Sequence, residues 1–222
     1  CFDAATLKEL WRFQTKGGTQ NCNNVSSPSI AGDWIHFGTT AGVYYVLDRK
    51  TGALVRELDC HEPIFSAPVV GEDRVYFATL GARIHALSYN GASQWEWDFV
   101  KEVIGFPGDR WSGEAWAAFC AKRMEASLKP GQKAVSTDGR VTWKDHFVCS
   151  RDICLINGKT VVIPAGGRTL FLEDTGTTPR LRATGEIPEW SGREFPATFG
   201  QSADEAGNVY VQWHRRDNAG RV

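Results

Sequence analysis

Apolar and polar residues alternate with a period of two along much of this chain. "RVYFATL" (74–80) and "NVYVQW" (208–213) are clear cases, and such alternation predicts strands rather than helices. The alternating runs come in a fixed order. "SPSIAGDWIHFGTTAGVYYVLD" (27–48) aligns with "APVVGEDRVYFATLGARIHALS" (67–88). Each has a proline at a strand start, a turn built on glycine and aspartate, an alternating strand, a second glycine turn and a third strand. Pro28 and Pro68 fit the first position of a strand, where a missing N–H costs little. "INGKTVVIPAGGRTLFLED" (156–174) is a third copy, and "EAGNVYVQWHRRDNAGRV" (205–222) is the front of another. Residues 100–133 break the pattern. There, "SGEAWAAFCAKRMEASLK" has strong helix formers, Ser112 as an N-cap, and apolar residues at 115, 116, 119, 120 and 124. This predicts a partly helical segment inserted into the fourth repeat or replacing one of its strands.

A second phrase closes each repeat: a small or apolar residue, then Asp, Thr, Gly and Trp at fixed offsets. "CFDAATLKELW" carries Asp3, Thr6 and Trp11, with Leu7 in the glycine slot. "VLDRKTGALVR" has Asp48, Thr51 and Gly52, with Arg56 in place of Trp. "ALSYNGASQW" and "AVSTDGRVTW" are one residue shorter and give Gly91 with Trp95 and Gly139 with Trp143; "LFLEDTGTTPR" keeps Gly176 and has Arg180. The turns fall at residues 6, 51, 90, 138 and 175, spacings of 45, 39, 48 and 37. A period near 40 is that of four-stranded propeller blades. Glycine at one place in each repeat supplies the positive φ that a short hairpin turn needs.

With these phrases together, the chain resembles the PQQ-like β-propeller superfamily, which spans quinoprotein dehydrogenases and non-catalytic propellers of the outer-membrane assembly lipoprotein type. The resemblance covers residues 1–99 and 134–222. It implies an all-β propeller of four-stranded blades, about five in this chain, as a single domain or propeller fragment over residues 1–222. It also implies that Trp11, Trp95 and Trp143 dock against neighbouring blades near Gly52, Gly91, Gly139 and Gly176. Joined end to end, "NAGRV" and "CFDAATLKELW" read like the middle of a repeat. Residues 205–222 and 1–14 are therefore expected to form one blade jointly. Two geometries follow: a ring closed on itself, or an arc of a larger ring. The edge strands that an isolated arc would expose favour the first; the family's usual seven or eight blades favour the second. Cys1, inside a repeat, reads as a strand residue at a fragment boundary rather than as a lipid anchor.

Composition agrees with many short strands and turns: 23 Gly, 9 Pro and 9 Trp. A net charge of −1 gives no footprint for nucleic acid or an anionic membrane, and no apolar run approaches the length of a transmembrane segment. Six cysteines point to an oxidising compartment, periplasmic, secreted or associated with the cell envelope. Cys149 and Cys154 flank "SRDI", a length that suits either a disulfide across a hairpin or two buried thiols.

Candidate chemistry is sparse. Quinoprotein catalysis would need PQQ at the ring centre, a calcium held by oxygen ligands and a carboxylate base. Asp59, Glu62, Asp109 and Glu114 are available acids, but the vicinal Cys-Cys pair of the quinone-dependent alcohol dehydrogenases does not occur. Cys22, Cys60 and His61 lie in connections expected on one face, where they could form part of a metal or haem site, pair as a disulfide, or stand apart. His36, His85 and His146 sit in or beside strands, as packed or surface histidines. No nucleophile elbow, P-loop or zincin motif is present. Two loop stretches, "GFPGDRWSGEAW" (105–116) and "PEWSGREFPATFG" (188–200), suit a partner surface through Arg110, Trp111, Trp116, Trp190 and Arg193, or else pack down as blade covers. The favoured expectation is a non-enzymatic scaffold without a cofactor, joined to a protein partner or to further blades. The alternative is a subunit or fragment of a quinoprotein-type oxidoreductase holding PQQ and calcium.

Overall fold

A computed structural model describes residues 1–16, 25–106, 108, 118, 152–165, 168–186 and 197–214. Three antiparallel four-stranded meanders dominate it. Blade 1 comprises β1 (Ser29–Ala31), β2 (Trp34–Gly38), β3 (Val43–Asp48) and β4 (Leu54–Asp59). Blade 2 comprises β5 (Val69–Val70), β6 (Arg74–Ala78), β7 (Arg83–Ser88) and β8 (Ser93–Asp98). Blade 3 comprises β9 (Cys154–Ile156), β10 (Thr160–Ala165), β11 (Arg168–Asp174) and β12 (Pro179–Glu186). β13 (Ala197–Ala203) and β14 (Val209–His214) pair as a two-stranded sheet.

The repeats superpose in register. His36, Tyr76 and Val162 hold one position, opposite Ser29, Val69 and Cys154 on the first strand. Opposite them on the third strand stand Val46, Ala86 and Phe171. Each third-to-fourth strand pair also carries a register shift at one place: Val46/Leu47, Ala86/Leu87 and Phe171/Leu172. A bulge there raises the local twist, which turns the outer strand away from the sheet plane.

Alternation along the sequence implies one buried face, yet the middle strands are buried on both. Tyr44 to Leu47, Val75 to Ala78 and Ile84 to Leu87 are buried without interruption. The reason is that blades stack face to face, so each central strand is covered from either side. Between blades 1 and 2 the Tyr44 ring stacks on Phe77 at 3.8 Å, within a cluster that includes Val46, Ile64 and Leu87. Between blades 2 and 3 lies a larger cluster containing Trp95, Trp97, Phe99, Val161, Leu170 and Leu172. Burying each such side chain contributes about 1.5–3 kcal/mol.

Turn spacing predicts a further blade around residue 138, between the second and third. Blades 2 and 3 instead meet directly. Arg74 Nη1 lies 3.0 and 2.9 Å from the two carboxylate oxygens of Asp174, and the Ala67 N–H donates to Asp152 at 2.9 Å. The chain leaves this seam after β8 and returns to it at β9, since Ile104, Phe106 and Ile153 share its apolar cluster. Where a helix is predicted within 100–133, Val100–Ile104 forms a single π-helical turn, ended by Gly105 at φ 82, and Ala118 is helical. Ser112 and the rest of residues 107–133, Gly108 and Ala118 apart, lie outside the described residues.

Residues 1–11 form a hairpin bridged between Phe2 and Glu9, with the Leu10 N–H donating to Cys1 O at 2.9 Å. Phe13 then packs edge-on against Phe37 and Tyr45 of blade 1. The blade expected from residues 205–222 and 1–14 depends on residues 215–222, which lie outside the described ones.

Candidate functional site

The side chains that carry this architecture sit at the blade seams. Trp11 lies flat over Gly52, where a Cβ would come within 2.6 Å of Trp11 Cδ2, and its indole N–H donates to Arg49 O at 3.2 Å. At the next seam Arg56, which replaces tryptophan in the repeat, packs with Val46 against Gly91. Trp95 behaves differently. It is buried beside Tyr76 at 5.8 Å, while the space at Gly176, the glycine of the next blade, is open. Arg74 reaches that turn instead, donating to Gly176 O at 2.7 Å. Trp143 and Gly139 lie outside the described residues.

The turns themselves are held by a repeated carboxylate. Asp48 Oδ1 accepts from the Lys50 and Thr51 N–H groups and from the Thr51 hydroxyl, at 2.9, 2.8 and 2.8 Å. Asp3 does the same with Ala5 and Thr6, at 3.1, 2.7 and 2.8 Å. The threonine hydrogen bonds hold both carboxyls below the ordinary aspartate value. Leu7 takes the glycine slot at φ 55, a left-handed conformation costly for a residue with a Cβ.

The second-strand position held by His36 and Tyr76 locks the two seams between blades 1, 2 and 3. In blade 1, His36 Nε2 lies 2.8 Å from the Tyr89 carbonyl of blade 2, and the Tyr44 hydroxyl lies 3.2 Å from His36 Nδ1. A carbonyl only accepts, so Nε2 carries the proton and Nδ1 accepts from Tyr44. Burial drives the His36 pKa down to about 4, with the Tyr89 hydrogen bond opposing. In blade 2, the equivalent Tyr76 donates to Asp174 of blade 3 at 2.8 Å, and Arg74 grips the same carboxylate. Burial, then the Asp174 hydrogen bond, raises the Tyr76 pKa.

Cys60, His61 and Glu62 leave the connector between blades 1 and 2 in three directions. The Cys60 thiol is buried and its pKa pushed up to about 12 by that burial. His61, at φ 54, is exposed, its Nδ1 3.2 Å from Asp59 Oδ1. Glu62 is buried, accepts from the Thr79 hydroxyl and lies 3.6 Å from Arg83 Nη2. Arg83 also stands 3.5 Å from Glu96 and 3.6 Å from Asp98. His85 is buried alongside, stacked on Phe77 at 4.6 Å, and burial lowers its pKa to about 3. Cys60 and His61 therefore do not converge, and Cys22 lies outside the described residues.

Among the described residues no three of His, Cys, Asp and Glu are grouped to hold a metal. Asp59 faces His61 and Glu62 is committed to Thr79 and Arg83, so neither fits an open calcium site; Asp109 and Glu114 lie outside the described residues. Cys154 bonds to no other cysteine among the described residues, and Cys149 lies outside them, as do Arg110, Trp111, Trp116, Trp190, Arg193 and His146. Arg74, Tyr76 and Asp174 are the seam residues that the sequence does not single out. Each is ordinary in its own repeat, and only the meeting of blades 2 and 3 makes them partners.

Four-stranded antiparallel meanders stacked face to face, each locked to the next by its second strand and its outer turn, define a β-propeller. A family model described as "Outer membrane protein assembly factor BamB" matches residues 1–212, and the chain belongs to that family. No curated protein gave a significant match. Among solved structures, BamB from Moraxella catarrhalis matches with 17% identity and a TM-score of 0.46, over 84% of this chain and 48% of that one. The C-terminal WD40 domain of Sif2 matches with 11% identity and a TM-score of 0.50, over 88% and 44%. The chain thus spans less than half the length of either structure. Among the described residues no helix is long and apolar enough to cross a membrane.

Proposed function

We propose that this chain is a non-enzymatic propeller scaffold of the cell envelope that holds a protein partner during the assembly of outer-membrane proteins. The observation that carries this reading is the family match over residues 1–212. The use of buried polar side chains supports it too: His36, Tyr76, Arg74 and Asp174 join blade to blade, a role in rigidity. Partner contact is assigned to the two loop stretches through Arg110, Trp111, Trp116, Trp190 and Arg193. The support there is composition, aromatic and arginine side chains being those that dominate interface energetics.

The test is complementation. The full chain, directed to the periplasm of a bacterium lacking its own assembly factor of this family, should raise the level of folded outer-membrane β-barrels. It should also co-purify with the machinery that inserts them. Trp111→Ala and Trp190→Ala should each weaken that capture, a hot-spot tryptophan being worth about 2 kcal/mol or more. Purified protein that showed quinone-type absorbance, bound calcium and oxidised an alcohol would overturn the scaffold reading.

A further inference from the structure

The two seams are locked at the same repeat position by groups of different chemistry. In blade 1 the second-strand residue is His36, aimed at the Tyr89 carbonyl on the outer turn of blade 2. In blade 2 it is Tyr76, aimed with Arg74 at Asp174 on the outer turn of blade 3. The first lock is built on a neutral imidazole: the ring is fully buried, Nε2–H donates to Tyr89 O, and Nδ1 accepts from the Tyr44 hydroxyl. A second proton at Nδ1 turns the Tyr44 hydroxyl from donor to acceptor and leaves an imidazolium charge in a fully buried seam, so the closed seam bears the cost of burying that charge. The second lock contains no histidine.

We propose that the seam between blades 1 and 2 is a proton-controlled joint, opened when His36 gains its second N–H, while the seam between blades 2 and 3 stays shut. The surroundings favour this asymmetry. The titratable group facing the imidazole from β3 is Tyr44, with Cys60 of the connector acting on Tyr44 in turn. Blade 2 presents the Tyr89 backbone, the Tyr89 hydroxyl being turned to the Gly71 and Glu72 carbonyls at 2.7 and 2.8 Å. Beyond Phe77 stands His85, which faces Arg83, Glu96 and Asp98 within blade 2. Burial without a carboxylate partner is what keeps His36 neutral, and its pKa of about 4 agrees with the geometry. Opening of this joint would separate the Tyr44–Phe77 stack and free the Ser88–Gly91 turn from blade 1.

Hydrogen exchange read by mass spectrometry tests the joint on the full chain, from pH 7 down to pH 4 with intrinsic rates corrected. Peptides over 29–38 and 86–92 should lose protection about tenfold per pH unit below the unfolded histidine value, the linkage for one proton. Peptides over 72–77 and 170–176 should keep theirs in the same range. His36→Gln keeps a donor for Tyr89 but cannot titrate, so it should abolish the selective loss, whereas His85→Gln should not. If His36→Gln fails to fold, NMR titration of His36 in the unmodified chain still decides, since its midpoint must track opening of the joint. Both seams losing protection together, or an unchanged profile in His36→Gln, would refute the joint.

Discussion

Side chains in this chain divide into those that hold a turn and those that hold two blades together, and substitutions should separate the two kinds. Leu7 sits at φ 55 in a slot that glycine fills at Gly52 and Gly91. Leu7→Gly removes the Cβ clash, so stability should rise by about 1 kcal/mol, read as a higher denaturant midpoint. Arg74→Ala should do the opposite. It strands a buried Asp174 carboxylate, with an expected cost of about 3–5 kcal/mol in chemical denaturation. Lys16→Ala breaks an ion pair of 2.6 Å with Glu57, but that lysine is solvent-exposed and the denaturant midpoint should barely move. Sequence reading reaches the first kind of residue and, of the second, misses Arg74 and Asp174. Asp48 and Thr51 bond within four residues, so their spacing announces the contact. Arg74 and Asp174 are 100 residues apart, and no local pattern joins them.

Elements tell a similar story. Strand positions and outer turns of blades 1, 2 and 3 follow from the alternation and the glycine phrases. The shared bulges do not, because a bulge inserts a residue without changing the residue types around it. Counting turns does not give the order of blades: regular spacing implies one at residue 138, which lies outside the described residues, between blades 2 and 3, and these two touch. If blades 2 and 3 are ring neighbours in their own right, residues 107–151 are dispensable for their contact. Replacing that segment by a short Gly-Ser linker should leave one cooperative unfolding transition, with the denaturant midpoint and m-value per residue little changed. Separate transitions for blades 1–2 and blade 3 in calorimetry would show the opposite. Of the candidate site, the loop tryptophans rest on composition alone, while the seam locks became visible only with the stacking of blades.

For the whole molecule, pH response follows from what is buried neutral. His36 and His85 are held near pKa 4 and 3 by burial, against 6.5 when exposed. Between those limits the unfolded chain binds more protons than the folded one, so stability must fall as pH drops below 6.5. Each buried histidine contributes a slope of about 1.4 kcal/mol per pH unit in that window. At the alkaline end the sign reverses. The Cys60 thiol, at about 12 when folded and 9.0 when exposed, ionises first in the unfolded chain, so stability should decline above pH 9. Urea midpoints measured from pH 4 to pH 10 should therefore describe a dome, its acid limb shallower by one proton in His36→Gln.

The grip of Arg74 on Asp174 also sets a timetable. Each blade is a meander of neighbouring hairpins, and such local pairings form early. The seam between blades 2 and 3 cannot close until the chain has looped across the 55 residues from β8 to β9, which separate Asp98 from Cys154. Loop-closure entropy grows slowly with length, about 0.6 kcal/mol per doubling, so the delay is modest but is borne by this seam. Newly made chains should pass through a state in which blade 2 has formed while the Trp95 and Trp97 side of it is still wet. That transient apolar wall, more than any surface of the finished propeller, is where a folding chain would be vulnerable to aggregation.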